Sequence, residues 1–184
     1  MSRSSGPTLH TIGHGGTPAA RFAAVLHDAG VEVLVDVRRY PGSTRVVQFR
    51  RDQLDLWLPE HGLEHVHEGT ELGGMLTVPP EHDHAALVGT GLEGYPDHLT
   101  TPPARAALDR VVELAAHRPV ALLCVETDWR SCHRRLLADR LVAFHGATVR
   151  HLSTAGVEEH TLGEEVRVDG DRLVYDVGVD RPLF

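Results

Sequence analysis

Cys124 and Cys132 are the two cysteines of the chain, and Glu126, Arg130, Ser131, His133 and Arg134 stand between or beside them. Thiol, carboxylate, imidazole and guanidinium in one short stretch could serve as nucleophile, proton carrier and anion clamp, or could ligate a metal. Cys124 and Glu126 are two apart at the end of an apolar run, so on an extended strand they project to one side. Asp36 and Arg38 have the same relation at the end of a second apolar run. A carboxylate placed there beside arginines needs partners and can be held ionised or tuned as a general base. Asp36, Cys124 and Glu126 are therefore the candidates for catalysis. His14, Arg38, Arg39, Ser43, Cys132, His133 and Arg134 are the candidates for binding substrate.

Each signal has a plainer alternative. Cys124 can be a small buried hydrophobe, and Asp139 can pair with Arg135 on an ordinary helix surface. If Ser131 caps the helix that follows, Cys132, His133 and Arg134 fall in its first turn. Free backbone N–H groups and the helix dipole there attract anions and lower a thiol pKa. Cys124 and Arg130 have the C-x5-R spacing of a phosphate-cradling loop, but the intervening Val-Glu-Thr-Asp-Trp lacks glycine and carries two carboxylates that would repel phosphate. Cys124, Glu126, Cys132 and His133 could instead hold a transition metal, although no compact C-x2-C pair is present. His65 with His67, and His82 with His84, read as surface histidines rather than ligand pairs.

The elements that must position these residues alternate between strand and helix. Leu9–Ile12 reads as a short strand ending in Gly13-His14-Gly15-Gly16. Thr17 and Pro18 then look like a helix cap and first turn, and Phe22, Val25, Leu26 and Ala29 fall at helical spacing before Gly30. Val31–Val37 is a nearly continuous apolar, β-branched run, as expected of a strand buried on both faces. A helix is expected around Gln53–Leu58, bent or ended by Pro59, and a strand over Leu63–His67. Residues 68–102, rich in Gly, Pro, His and Thr, read as a long irregular connection of the kind that forms lids and binding loops. Thr101-Pro102-Pro103 opens another helix, Pro119–Val125 is a strand, Ser131–His145 a helix stopped by Gly146, and Ala147–Leu152 a last core strand. Glu165–Val177 reads as a β-hairpin turning at Asp169-Gly170. The pattern predicts one α/β domain over residues 1–184, three-layered, with a mostly parallel central sheet flanked by helices and a C-terminal β-hairpin near 165–177. In such sheets sites form beyond the carboxyl ends of the strands. That rule selects Gly13–Gly15, Asp36–Ser43 and Cys124–Arg134.

Bulk properties narrow the function classes. The chain has 184 residues with 41% hydrophobic content, enough for a substantial core. No apolar run approaches the length of a membrane span, and the first residues lack the apolar core of a secretory signal, so a cytoplasmic protein with free thiols is expected. The formal charge of −8 argues against coating nucleic acid. All 18 basic residues are arginine, which excludes Schiff-base chemistry through lysine.

Several stretches together resemble one family. They are Thr11-Ile12-Gly13-His14, Leu34-Val35-Asp36-Val37-Arg38, Pro41 with Ser43, Leu72-Gly73-Gly74, Tyr95 with Thr100-Thr101-Pro102, and Cys124-x-Glu126 followed by Cys132-His133-Arg134. In this order they look like the domain-of-unknown-function 488 family, over roughly residues 9–152. Met75 stands where the family usually has arginine after the Gly pair, and Gly15 follows His14 where a serine or similar residue is more usual. The resemblance implies an α/β fold and a shared polar site; it brings no reaction with it.

The residues favour an enzyme, a hydrolase or transferase, acting on an anionic small molecule such as a nucleotide, nucleoside or nucleic-acid fragment. A metal-binding enzyme or sensor built on the cysteines, histidines and carboxylates is the second expectation; neither cofactor nor metal is fixed by the sequence. The third is a noncatalytic module that binds nucleic acid or a protein partner through Arg38, Arg39, Arg45, Arg50 and Arg51, weakened by an aromatic content of 5%.

Overall fold

The computed structural model describes residues 6–42 and 44–179. In chain order its elements begin with β1 (Thr8–Gly13), α1 (Ala19–Asp28) and β2 (Val33–Asp36). A 3-10 turn (Val47–Phe49), α2 (Arg51–Glu60), β3 (Glu64–His67) and the one-turn α3 (Gly69–Leu72) follow. After a 3-10 turn at Ala85–Leu87 come the short α4 (Tyr95–His98), the long α5 (Pro102–His117) and β4 (Val120–Cys124). A 3-10 turn at Trp129–Ser131 leads into α6 (Arg134–His145), then β5 (Thr148–Ser153), β6 (Gly156–Glu159), β7 (Val166–Asp169) and β8 (Arg172–Tyr175).

The main sheet has the order β3-β2-β4-β1-β5-β6, with every pairing parallel except the antiparallel edge β5–β6. Strand alternation sorts its side chains into two cores. Val33, Val35, Val37, Val120 and Leu122 face a cluster with Ala107, Leu108 and Val111 of α5 and Leu137 and Leu141 of α6. Leu34, Ala121 and Leu123 face the other way, onto Phe22 and Leu26 of α1 and Leu54 and Leu58 of α2. Both faces are covered, which is why these strands read as unbroken apolar runs. The result is the expected mixed α/β architecture with helices on either side of a mostly parallel sheet. Among the described residues, no helix is long and apolar enough to cross a membrane.

Several local expectations shift. The first helix begins at Ala19, with Pro18 rather than Thr17 at the cap and no side-chain bond there; Gly30 ends it in the left-handed region at φ 69°. α2 runs through Pro59 to Glu60; the proline has no N–H to give to the carbonyl four residues back, and the helix ends one residue after it. The 68–102 connection is less irregular than its composition suggests, holding two one-turn helices and a 3-10 turn. Ser131 does not cap α6; it ends the preceding 3-10 turn, whose cap is Asp128 accepting from Arg130 N–H. Cys132 is extended (φ −122°, ψ 151°) and α6 starts only at Arg134, so Cys132 precedes the helix instead of lying in its first turn. The edge strand β6 carries no apolar alternation and was not foreseen. The hairpin β7–β8 turns at Asp169-Gly170 as expected, with Gly170 at φ 61°.

Candidate functional site

β4 lies between β2 and β1, and their carboxyl ends stay joined beyond the strands. His14 N–H donates to Cys124 O and Gly15 N–H to Val125 O, while Val37 N–H donates to Leu123 O. Chain leaving β1 and β2 goes to helices on one face, whereas chain leaving β4 goes to α6 on the other. The divergence opens a crevice at that edge. It brings His14, Asp36, Arg38, Cys124, Glu126, Cys132, His133 and Arg134 to one region. Ser43 lies outside the described residues.

The first group is a buried ion pair with a histidine. Asp36 Oδ1 accepts from Arg38 N–H (2.9 Å) and Nε (2.8 Å), and Oδ2 accepts from Nη2 at 2.6 Å. Burial pushes the Asp36 carboxyl up, but the bonds from Arg38, aided by His65, outweigh it and hold the pKa at about 2. Arg38 Nη1 donates to His14 Nε2 (3.1 Å), so the His14 proton sits on Nδ1 and goes to Gly15 O (2.8 Å). The ring is stacked on Phe49 at 4.3 Å. Burial, with a smaller push from Arg38, lowers its pKa to about 4, keeping it neutral.

The second group is the sulfur–imidazole cluster. Cys124, Cys132 and His133 are 5%, 3% and 7% exposed, and the two Sγ atoms and a ring nitrogen lie within 4.8 Å of one another. His133 Nε2 donates to Val37 O at 3.1 Å, which leaves the Nδ1 lone pair facing both sulfurs, each at 3.7 Å. Arg134 is buried beneath them. Its Nε donates to Cys132 Sγ (3.5 Å), Nη1 to Thr11 Oγ1 (3.4 Å) and Nη2 to Glu126 O. The Cys124 thiol bonded to Cys132, with His133 and Arg134 nearby, holds Cys132 down at about 3 against its burial. The same coupling, together with burial, pushes Cys124 up. No disulfide forms among the described residues.

The third group is the wall opposite. Arg39 donates from Nε to Gly74 O (3.0 Å) and from Nη2 to Gly73 O (3.1 Å). Tyr95 O–H donates to Leu72 O at 2.5 Å, and its ring lies 5.2 Å from that of His133. A Cβ on Gly74 would come 2.9 Å from His133 Nδ1; glycine is needed there for the chain to approach the imidazole. Met75 follows with φ 61° and is 81% exposed, a left-handed conformation unfavourable for this side chain.

These walls enclose a cavity of about 280 Å³, lined by Arg38, Arg39, Gly74, Met75, Cys124, Glu126, Cys132 and His133 among others. Glu126 is exposed at its rim. Asp36 and His14 do not line it; they reach it through Arg38. Of the histidines read as surface residues, His84 is fully buried against Tyr175 and Asp97, and His65 is bonded to Asp55 and near Asp36.

A family model described as "Domain of unknown function DUF488" matches residues 18–141, more than half of the chain. The chain belongs to the DUF488 family. No curated protein and no solved structure matches it. The DUF488 match begins after β1 and ends inside α6, so it covers Asp36–Arg39, Leu72–Gly74 and Cys124–Arg134 but not His14.

Sequence reasoning missed the polar chain behind Arg134 in this DUF488 protein. Thr11 Oγ1 pairs with His151 Nδ1 (2.7 Å), His151 Nε2 with His160 Nδ1 (2.9 Å), and His160 Nε2 with Asp139 Oδ1 (3.0 Å). Tyr175 O–H closes the chain on Asp139 Oδ2 at 2.8 Å. Asp139 thus pairs with His160 and Tyr175, not with Arg135, which reaches Glu165 instead. The available signal was a histidine inside the apolar strand Val149–Leu152, opposite Thr11 in register.

Proposed function

We propose that this DUF488 protein is an enzyme acting on an anionic small molecule bound in the 280 Å³ cavity, with the Cys124–Cys132–His133 cluster as its reaction centre. The observation that carries this reading is that one cavity is lined by both thiols, an imidazole with its lone pair turned inward, two arginines and an exposed carboxylate. Arg38 and Arg39 orient the anion. Glu126, at the rim, exchanges protons with solvent. Asp36 and His14 are positioning residues: they saturate one side of Arg38 and fix its direction. The volume is at the small end for ligand sites, so it suits a phosphate- or carboxylate-bearing head group of a nucleotide-like compound rather than a polymer. Exposed Arg50 is already paired with Asp52, which supports the small-molecule reading over a basic nucleic-acid stripe. Unpaired thiols fit a reducing, cytoplasmic setting.

The test is a panel of phosphorylated and carboxylated metabolites screened by thermal shift and turnover, with Arg39→Gln, Glu126→Gln and Cys132→Ala. Ligand-induced stabilisation is expected to vanish in Arg39→Gln. Turnover should fall by about 100-fold or more in Glu126→Gln and Cys132→Ala. Folded variants that keep full turnover of an identified substrate would overturn the assignment.

A further inference from the structure

We infer that Cys124 Sγ, Cys132 Sγ and His133 Nδ1 form a three-ligand site for a thiophilic divalent ion of the zinc class, whose fourth coordination position opens into the cavity. This deepens the proposed function by naming a cofactor for the same centre. It rests on that reading only for what the ion does, not for its binding.

The distances carry the inference. Tetrahedral coordination with zinc–sulfur bonds near 2.3 Å and a zinc–nitrogen bond near 2.1 Å sets sulfur and nitrogen about 3.6 Å apart. Both Sγ–Nδ1 separations here are 3.7 Å. The two sulfurs also lie within 4.8 Å of each other, so all three donor atoms gather around one point that a single ion can occupy. The imidazole is also arranged as metal-bound histidines are: its remote nitrogen donates to a backbone carbonyl, Val37 O, which fixes the tautomer and turns the lone pair toward the sulfurs. Tyr95 holds the ring edge-on, and the missing side chain at Gly74 leaves Nδ1 uncovered. Arg134 Nε, bonded to Cys132 Sγ, supplies the second-shell donor that stabilises a ligating thiolate.

The ligand set selects the ion. Two sulfurs and one imidazole favour zinc and its softer neighbours over magnesium or calcium, which require oxygen. Three protein ligands, rather than four, are the count of catalytic zinc sites, where water or substrate takes the remaining position. That position faces Arg38, Arg39 and Glu126 across the cavity. A divalent ion there would balance two thiolates and add attraction for an anionic substrate.

The test uses the full chain without a histidine tag, stripped with chelator and reconstituted with zinc sulfate, with metal measured by mass spectrometry after desalting. One zinc per chain is expected, falling below about 0.1 in Cys124→Ser, Cys132→Ser and His133→Gln. Saturating zinc should raise the thermal midpoint of the wild type by roughly 5–10 °C and leave those variants unmoved. Arg39→Gln should retain the metal, so loss of ligand binding in Arg39→Gln with metal retained separates failure of one reading from failure of the other. Cobalt(II) reconstitution should give the wild type a thiolate-to-metal charge-transfer band; this decides the matter if the cysteine variants do not fold. Metal content unchanged by the substitutions, or a wild type with neither stoichiometric zinc nor the cobalt band, would overturn the inference.

Discussion

Replacing Asp36 by asparagine is expected to destabilise the fold by about 3–5 kcal/mol, because it strands a buried guanidinium. Asp36 is 0% and Arg38 4% exposed, so the carboxylate has no water to turn to and the guanidinium meets solvent only where it edges the cavity. The carboxylate accepts three bonds from Arg38, the shortest at 2.6 Å to Nη2. Asparagine keeps one acceptor and turns the other oxygen into an N–H₂ group, so two donors would meet where that bond stood. The direct Coulomb attraction at this separation is larger than the expected loss, but relaxation and the desolvation already borne by the native pair reduce the net effect. Domains have about 5–15 kcal/mol of stability in all, so the variant should fold with a greatly lowered margin. Urea unfolding followed by circular dichroism should show the midpoint falling with an unchanged slope, and the thermal midpoint should drop by roughly 6–20 °C. Asp36→Asn/Arg38→Met removes the charge as well as its partner and should recover part of the loss. A single-variant loss below about 1 kcal/mol, the range of exposed ion pairs, would refute the claim that this pair acts as a buried one. A double variant no more stable than Asp36→Asn would refute the charge argument.

Four further outcomes follow from the same geometry. Gly13→Ala would put a Cβ 1.7 Å from Glu126 O, forcing β1 and the β4 loop apart; a loss of about 3 kcal/mol or more is expected by chemical denaturation, and a near-neutral result would contradict the close approach. Met75→Gly relieves a left-handed methionine that is 81% exposed, so the thermal midpoint should rise, by no more than about 1 kcal/mol of stability. Tyr175→Phe removes a donor from buried Asp139 and should destabilise by about 1.5–3 kcal/mol, visible as a lower urea midpoint. Stability should fall as pH drops from about 6.5 towards 4, since burial depresses His14 to about 4 and His151 to about 3. The unfolded chain then binds protons that the native one refuses, about 1–2 kcal/mol per histidine at pH 5. His65, raised by Asp36 and Asp55 against its burial, opposes this in part, and a midpoint that rises on acidification to pH 5 would show the depressed pair does not dominate.

What could be read from the sequence divides along a physical line. Strands such as Val33–Asp36 and Val120–Cys124 were legible because both faces are buried and no polar residue interrupts them. The crevice followed from topology, since strand ends in a parallel sheet gather at one edge whatever the loops contain. Local caps were not legible at this level. Thr17 and Ser131 have the right residue type for caps, but the chain begins each helix later, where Pro18 and His133 take the cap. Direction was also hidden: spacing put Asp36 beside Arg38 but could not say that the carboxylate would be wholly engaged by it, leaving Glu126 as the solvent-facing acid. Nor could spacing show that Cys124 and Cys132 meet, because that depends on the turn at Trp129–Ser131 folding back over β4.

Arg134 joins the legible and illegible parts of the site. One nitrogen supports Cys132, another fixes the Glu126 carbonyl, and a third reaches Thr11, from which the hydrogen-bonded chain runs through His151 and His160 to Asp139 and Tyr175. A buried guanidinium so close to the His151 imidazole tolerates it only if it stays uncharged. Burial and the neighbouring His160 and Arg134 keep His151 neutral to about pH 3, while Trp129 stacked on its ring at 3.9 Å covers it from solvent. Of the residues in this chain only Asp139 lies within the matched family segment; Thr11 precedes it, and His151, His160 and Tyr175 follow. The segment that carries Cys124–Arg134 thus obtains the surroundings of its central arginine from strands outside it, β1, β5 and β8. The C-terminal hairpin is therefore more than a terminal turn: through Tyr175 it helps hold the arginine on which the sulfur of Cys132 rests.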